Sequence, residues 1–367
     1  MVIEQTDETQ LSSQNEARYY ERRRDGSVQC HLCWRECIVQ PGGIGFCTNR
    51  KNIDGTYYSL VYGHAGALQI DPIEKEPMFH MLPGSRIACI GTAGCNNRCK
   101  FCHNWHLSQQ TVEQVGGYTA SAERIATEAH SNCDALTWYY WSDVPRGATR
   151  CVAVSFTYNE PTVFYEYMYD IAERAREKGM GAIMHTNGGI SRRPLQALLK
   201  LLNAVTVDLK AFTEQFYHNV SESKLEPVLQ TLETIRSSGR HLEIVNLVIP
   251  TLNDNPLDIR RMCAWIAANL GRDTPLHFTR FFPNYKLQHL PPTPVETLQE
   301  AVQIADAEGL QYVYVGNLPG HTRNSTFCPR CGKLLIARRH FEVTQVNLEQ
   351  GKCPNCKQTI PGIWSAP

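Results

Sequence analysis

Three thiols stand within eight residues, Cys95-Asn96-Asn97-Arg98-Cys99-Lys100-Phe101-Cys102, at spacing C-x₃-C-x₂-C. A structural zinc and an iron–sulfur cube each ask for four protein ligands. Three thiolates therefore leave one metal corner for an outside ligand. The rival is a zinc site completed by His103 or His106. The run before the loop, Ser85 to Gly91, is apolar and β-branched, so the cysteines follow a strand directly.

Eight further cysteines fall into two groups of four. Cys30, Cys33, Cys37 and Cys47 lie in a glycine-rich stretch and close a tetrahedral count. Zinc is the expected ion and a second iron–sulfur cluster the alternative, because ligand type does not separate them. Cys328, Cys331, Cys353 and Cys356 read as two C-x₂-C knuckles of a β-rich zinc ribbon. Arg330, Lys333, Arg338, Arg339 and His340 would give it positive charge, suited to nucleic acid or protein; a structural cap on the main domain is the plainer role. The other four of the 15 cysteines (Cys89, Cys133, Cys151, Cys263) are scattered. Cys89 and Cys151 read as small buried hydrophobes.

The elements that must position these groups begin at Ser85. Apolar runs at 86–90, 151–157, 181–186, 204–209, 241–249, 276–281 and 312–315 read as strands. Helical faces separate them, notably Pro161 to Lys178, Leu195 to Leu202, and a helix opened by a capping box at Thr293-Pro294-Val295-Glu296. About six or seven β-α units imply a partial parallel (β/α)₆ barrel rather than the eight-fold one. Polar residues gather at its strand ends: Tyr158-Asn159-Glu160, Thr186-Asn187-Gly188, Asp208-Leu209-Lys210 and Asn246. Turns and caps favour the same residue types, so the concentration on one rim is the signal. Expected boundaries are a polar tail over 1–25 (frayed or a surface helix), a four-Cys module and connector over 26–83, the barrel over 84–320 and the ribbon over 321–367. Asp71 to Pro77 is expected to cross the surface, and His64 and His80 not to be ligands.

Lysine plus arginine equals aspartate plus glutamate, 36 each, so charge balance offers no argument for general nucleic-acid binding. With no long apolar run and no signal-like head, the chain is expected to be soluble and cytoplasmic. Residues 131–150 carry Trp138, Tyr139, Tyr140 and Trp141, either a packed loop or a partner-contacting patch.

The three-cysteine loop, Ser155 to Pro161, Thr186-Asn187-Gly188, Asp208-Leu209-Lys210 and Arg280 to Leu287 together resemble the radical S-adenosylmethionine (radical SAM) superfamily. The likeness is to its pyruvate formate-lyase activating branch and, more closely, to the radical SAM enzymes of the AmmeMemoRadiSam system. The resemblance implies that Cys95, Cys99 and Cys102 hold a [4Fe-4S] cluster whose fourth iron is chelated by S-adenosylmethionine. It places Asn159 and Glu160 near the methionine amine, Thr186, Asn187, Asp208 and Lys210 around the carboxylate and ribose, and Val248 beside the adenine. His185 stands where relatives carry a cation-binding aspartate, which argues against a cation site. The implied activity is reductive cleavage to a 5′-deoxyadenosyl radical and hydrogen abstraction. An electron donor such as flavodoxin or ferredoxin and a protein or RNA substrate would be its partners. Glycyl-radical activation is one subclass; a zinc adaptor without catalysis is the reading of another class.

Overall fold

The computed structural model describes residues 15–136 and 150–365. The aromatic stretch Trp138 to Trp141 lies outside the described residues. The chain divides into two compact units. The first comprises residues 1–70, 88–98 and 104–202, the second residues 71–87, 99–103 and 203–367.

The first unit opens with an antiparallel sheet of β1 (Tyr20–Arg22), β2 (Val28–Cys30) and β3 (Ile38–Val39). The expected frayed or helical tail is therefore a strand from Tyr20, because Tyr20 pairs in register with Cys30. A hairpin follows, β4 (Arg50–Ile53) and β5 (Thr56–Ser59). Its two-residue turn, Asp54-Gly55, takes positive φ at both positions, as such turns require. Next come β6 (His64–Ala65), β7 (Ala67–Pro72), β8 (Arg86–Gly91) and β9 (Tyr118–Thr119). Helix α1 (Ala122–Ser131) is capped by the Ser121 hydroxyl. Then follow β10 (Ala153–Phe156), α2 (Tyr165–Glu177), β11 (Gly181–Thr186) and α3 (Arg192–Leu198). The sheet order is β11-β10-β8-β7, with β10 and β11 parallel. Every residue of β10 is buried, as a strand covered on both faces must be. Cys151 is buried as expected, but it is not a free thiol: it is joined to Cys133 in a disulfide, Cα–Cα 5.6 Å.

The second unit carries β12 (Ala204–Asp208), helix α4 (Glu226–Ser237), β13 (His241–Val248), α5 (Pro256–Asn269), β14 (Leu276–Arg280), α6 (Val295–Ala307) and β15 (Val313–Gly316). The four strands are parallel and adjacent in that order. Strand–helix alternation gives the α/β class read from the sequence. Thr293 does not cap α6. Its hydroxyl instead donates to the Val248 carbonyl (2.6 Å) and accepts the Phe281 N–H (2.9 Å).

Also in the second unit is the antiparallel sheet of β16 (Thr326–Phe327), β17 (Leu334–Arg339) and β18 (Glu342–Val346). Its core joins Cys328, Leu335, Ile336, Cys353 and Ile360 to Phe79, Tyr312 and Tyr314. Two expectations change here. Asp71, Glu74 and Glu76 do not run over the surface but are buried. Arg338 is not a surface charge: its side chain is fully buried, 3.4 Å from Glu74, and donates to the Phe79 carbonyl (2.7 Å). A buried carboxylate persists only with such a partner.

His80 is a core histidine. Its Nδ1 lies 2.7 Å from the Pro361 carbonyl and its Nε2 2.7 Å from the Tyr314 hydroxyl. Burial holds the imidazole down to about 3 from its ordinary 6.5, outweighing the pull of Glu243. The unfolded chain thus binds one more proton than the folded chain between those values, and stability falls as pH falls. The slope should be about 1.4 kcal/mol per pH unit. Urea unfolding between pH 6.5 and 5 should show His80→Gln losing about one proton of that dependence; identical slopes would contradict the assignment.

Candidate active site

In the first unit the cysteine loop leaves β8 and is held from three sides. Gly94 has φ +75°, and a Cβ built there would stand 2.2 Å from the Cys47 carbonyl oxygen, so only glycine fits. Asn49 donates to the Ala93 carbonyl at 2.5 Å and Arg35 to the Asn96 carbonyl at 2.5 Å. The Arg35 and Arg98 guanidinium groups lie 3.3 and 4.1 Å from the Phe46 ring centroid.

Asn159 provides the third hold. Its Nδ2 lies 2.9 Å from the Ala93 carbonyl and 2.8 Å from the Gly94 carbonyl, and its Oδ1 accepts the Thr92 N–H at 2.9 Å. The side-chain amide of Asn159, which the resemblance places near the methionine amine, thus shapes the loop. Asn159→Ala would strand buried carbonyls and should cost about 2–4 kcal/mol. Urea unfolding and iron content after reconstitution both report on it; unchanged values for both would contradict this role.

Glu160 is buried and draws the ends of β10 and β11 together. Its Oε1 accepts from the Thr162 N–H (3.0 Å), the Thr162 hydroxyl (2.6 Å) and the Thr186 hydroxyl (2.7 Å). Among the described residues, Oε2 accepts only the Asn187 N–H, at 2.7 Å. Burial pushes the carboxyl above its ordinary value, while these donors oppose that shift. The Asn187 amide reaches the Asn96 Oδ1 at 2.7 Å. Glu160, Thr186 and Asn187 are thus gathered beside Asn96, next to Cys95.

The second unit takes the loop from Cys99. Burial pushes the Cys99 thiol up to about 12, with Cys102 adding to it, while Lys210 and Ser221 favour the thiolate. Lys210 Nζ pairs with Asp208 at 2.7 Å and stands 5.7 Å from the Phe101 ring centroid. Asn253 donates to the Lys210 carbonyl (2.5 Å) and Asn246 to the Leu209 carbonyl (2.8 Å), fixing the end of β12. Asn253 carries no mark in the strand-end pattern because it acts from a loop. Val248 is fully buried in β13. His103 Nδ1 lies 3.2 Å from Asn284, within the Arg280 to Leu287 stretch.

Among the described residues, one group of potential metal ligands has all its ligand atoms within 4.8 Å of one another: Cys328, Cys331, Cys353 and Cys356. The N-terminal four and the Cys95 loop are not drawn that tightly. In each of the three modules, however, a backbone N–H two residues after a cysteine serves its sulfur. Asn97 serves Cys95 at 3.4 Å, and Leu32, Arg35, Asn49 and Lys333 serve Cys30, Cys33, Cys47 and Cys331. Such donors stabilise thiolate, the form that binds metal.

A family model described as the Radical SAM superfamily matches residues 89–263. The chain is 42% identical over 347 residues to the uncharacterized protein MJ0808 of Methanocaldococcus jannaschii, covering 94% of this chain and 98% of that one. It is 24% identical over 180 residues to the pyruvate formate-lyase-activating enzyme of Clostridium pasteurianum, covering 49% of this chain and 68% of the relative. This chain belongs to the radical SAM superfamily. Its likeness is to the activating-enzyme branch. Among solved structures, a radical SAM methyltransferase from Sphaerobacter thermophilus aligns at TM-score 0.48 and 16% identity, covering 69% of this chain and 71% of that one.

Radical SAM proteins carry a [4Fe-4S] cluster and use S-adenosylmethionine. The residues present fit the cluster. Cys95, Cys99 and Cys102 supply soft thiolate donors, the type that iron–sulfur clusters take. The Asn97 N–H already points at one sulfur. The amide Nδ2 of Asn96, between the first two cysteines, is buried with no partner among the described residues. Among the described residues no helix is long and apolar enough to cross a membrane.

Proposed function

We propose that this radical SAM protein is a [4Fe-4S]-dependent enzyme that removes a hydrogen atom from a macromolecular substrate. The observation that carries the reading is the three-thiolate loop directly behind β8, inside the stretch matching the superfamily. When bound, the cluster and S-adenosylmethionine supply reductive C–S cleavage to a 5′-deoxyadenosyl radical. The chain's own residues bind, orient and exclude water.

Cys95, Cys99 and Cys102 would hold three irons. Glu160 Oε2, with one protein donor among the described residues, keeps a lone pair for the methionine ammonium, while Oε1 is already committed to Thr162 and Thr186. Asn159 acts at one remove, by shaping the loop. Thr186, Asn187, Asp208 and Lys210 would take the carboxylate and ribose end, with Lys210 supplying positive charge. Val248 would bound the adenine side from within the wall, since its side chain is buried. Reduced flavodoxin or ferredoxin would donate the electron, and the cytoplasm is the compartment where such thiols stay reduced.

The ribbon's four close sulfurs suit a tetrahedral zinc. The N-terminal four would take zinc or a second iron–sulfur cluster. Their presence on both flanks favours a protein or RNA target over a free metabolite.

Glycyl-radical activation is a more specific form of the same chemistry, favoured by the identity with the Clostridium pasteurianum activating enzyme. The test uses reconstituted protein, dithionite, S-adenosylmethionine and fractionated protein or RNA from cells grown in deuterated medium. Deuterium appearing in 5′-deoxyadenosine identifies the substrate fraction, and a glycyl-radical doublet in that fraction marks the activase form. Cleavage with no deuterium transfer from any macromolecular fraction would overturn the macromolecular reading. A zinc adaptor would give no cleavage at all.

A further inference from the structure

Between α4 and β13 the chain turns at Ser238-Gly239, where Gly239 takes φ +73° past the helix end. The turn sets Arg236 in the last turn of α4 and Arg240 just before β13, at the amino ends of the parallel strands. Both arginines line a cavity of about 320 Å³, walled by residues of the second unit alone. That volume suits a small metabolite. Leu242, Pro275, Pro361 and Ile363 give it an apolar side. The wall at residues 361–363 is fixed in advance: the Ile363 N–H donates to the His80 carbonyl (2.7 Å), and the Ile363 carbonyl accepts the Leu82 N–H (2.8 Å).

Arg240 is half-buried, and among the described residues its side chain makes no hydrogen bond or ion pair. Arg236 Nη2 meets Asp273 at 2.9 Å, with the two side chains 43% and 37% exposed, so a ligand can compete for that pair. His241, at the start of β13, is only 10% exposed. Its Nε2 is spent on Glu243 at 3.0 Å. Glu243 is a fully buried carboxylate that also accepts the His80 N–H (2.7 Å) and lies 2.6 Å from His277 Nε2. Nδ1 is therefore the His241 nitrogen left for a ligand, on a ring that cannot turn away without breaking the Glu243 bond.

We propose that this cavity is a second ligand site, which takes the phosphate group of a small metabolite with Arg240 as its main cation. The donors exceed what the two oxygens of a carboxylate use. Arg240 offers a planar fork, Arg236 the donors that Asp273 leaves, and His241 its Nδ1. A phosphate monoester brings three acceptor oxygens and a charge of about −1.5 to −2. Asp273 is the sole acid of the lining, so the two arginines outweigh it. The site is distinct from the strand-end rim of Asp208 and Lys210. β13 runs eight residues from His241 to Val248, which puts its two ends roughly 23 Å apart. S-adenosylmethionine held at the rim leaves this cavity free.

The test uses the full-length, anaerobically purified protein at an ionic strength held constant with chloride. Calorimetry follows the binding of inorganic phosphate and of glucose 6-phosphate, with glucose as the neutral control, and hydrogen–deuterium exchange locates it. Both phosphates should bind and compete with each other, glucose should not bind, and protection should appear over residues 236–242 and 361–363. Arg240→Gln should weaken both about tenfold or more, as when a charged hydrogen-bonding contact is lost. Its melting temperature without ligand should stay near wild type, because the side chain has no protein partner to lose. Arg236→Gln should also weaken binding, and it carries the test if Arg240→Gln does not fold. No binding of either phosphate, unchanged affinity in both variants, or protection confined to other segments would overturn the site. Phosphate binding with glucose 6-phosphate excluded would overturn the metabolite and leave a site for the free ion.

Discussion

Cys99→Ala should stop formation of 5′-deoxyadenosine. Two thiolates do not hold a cube that needs three protein ligands and leaves its fourth corner open. The cofactor carries the difficult step, so its loss should reduce turnover to below about one-thousandth of wild type. Cys99 is the informative choice among the three. Its thiol is half-buried, its ionisation is opposed by burial and by Cys102, and Lys210 and Ser221 stand ready to favour the thiolate. Iron and sulfide counts should fall by one cluster while the ribbon metal remains. Anaerobic chromatographic quantification of 5′-deoxyadenosine checks the first point and elemental analysis the second. Cleavage near the wild-type rate would exclude the loop as the cluster site.

Cys353→Ser should unfold the ribbon and weaken the second unit with it. Cys353 is fully buried in the same apolar cluster as Phe79, Tyr312, Tyr314, Leu335 and Ile336. The four sulfurs stand close, with Cys328 to Cys356 at 3.5 Å and Cys331 to Cys353 at 3.7 Å. Structural metal binding in such modules is itself folding free energy. Losing it also frees β17, which carries the buried Arg338. Glu74 would then be left buried without its cation, which alone costs about 3–5 kcal/mol. A drop of about 10 °C or more in melting temperature is expected, with about one metal ion lost per chain. Chelation of the wild type should reproduce the shift, and added zinc should reverse it. An unchanged melting curve after the metal has left would show that the ribbon hangs free of this core.

Much of the scaffold was legible because its signals are local. Apolar β-branched runs marked the seven strands from β8 onward in the parallel α/β series to within a few residues, since a strand buried on both faces has no other composition. The ribbon cysteines, Cys328, Cys331, Cys353 and Cys356, were legible as a group because metal ligation demands fixed types at short spacing. What escaped depends on distant pairing. Nothing near Asp71 to Pro77 announces burial, because the partner that makes Glu74 tolerable is Arg338, 264 residues later. Arg50 and Glu166 are equally separate, and each alone reads as a surface charge. Thr293 matched a capping box, but tertiary bonds to Val248 and Phe281 took its hydroxyl. The loop-shaping bonds of Asn159 were not legible, since its three partners Thr92, Ala93 and Gly94 appear only once the loop folds back on it.

The most direct test is electron paramagnetic resonance of the dithionite-reduced, reconstituted protein with and without S-adenosylmethionine. A cluster held by Cys95, Cys99 and Cys102 alone has an iron open to the substrate, so the reduced signal should change shape on addition and keep its shape in Cys99→Ala or disappear there. A wild-type signal indifferent to S-adenosylmethionine, or a colourless protein holding only zinc, would contradict a three-thiolate cluster with an open corner.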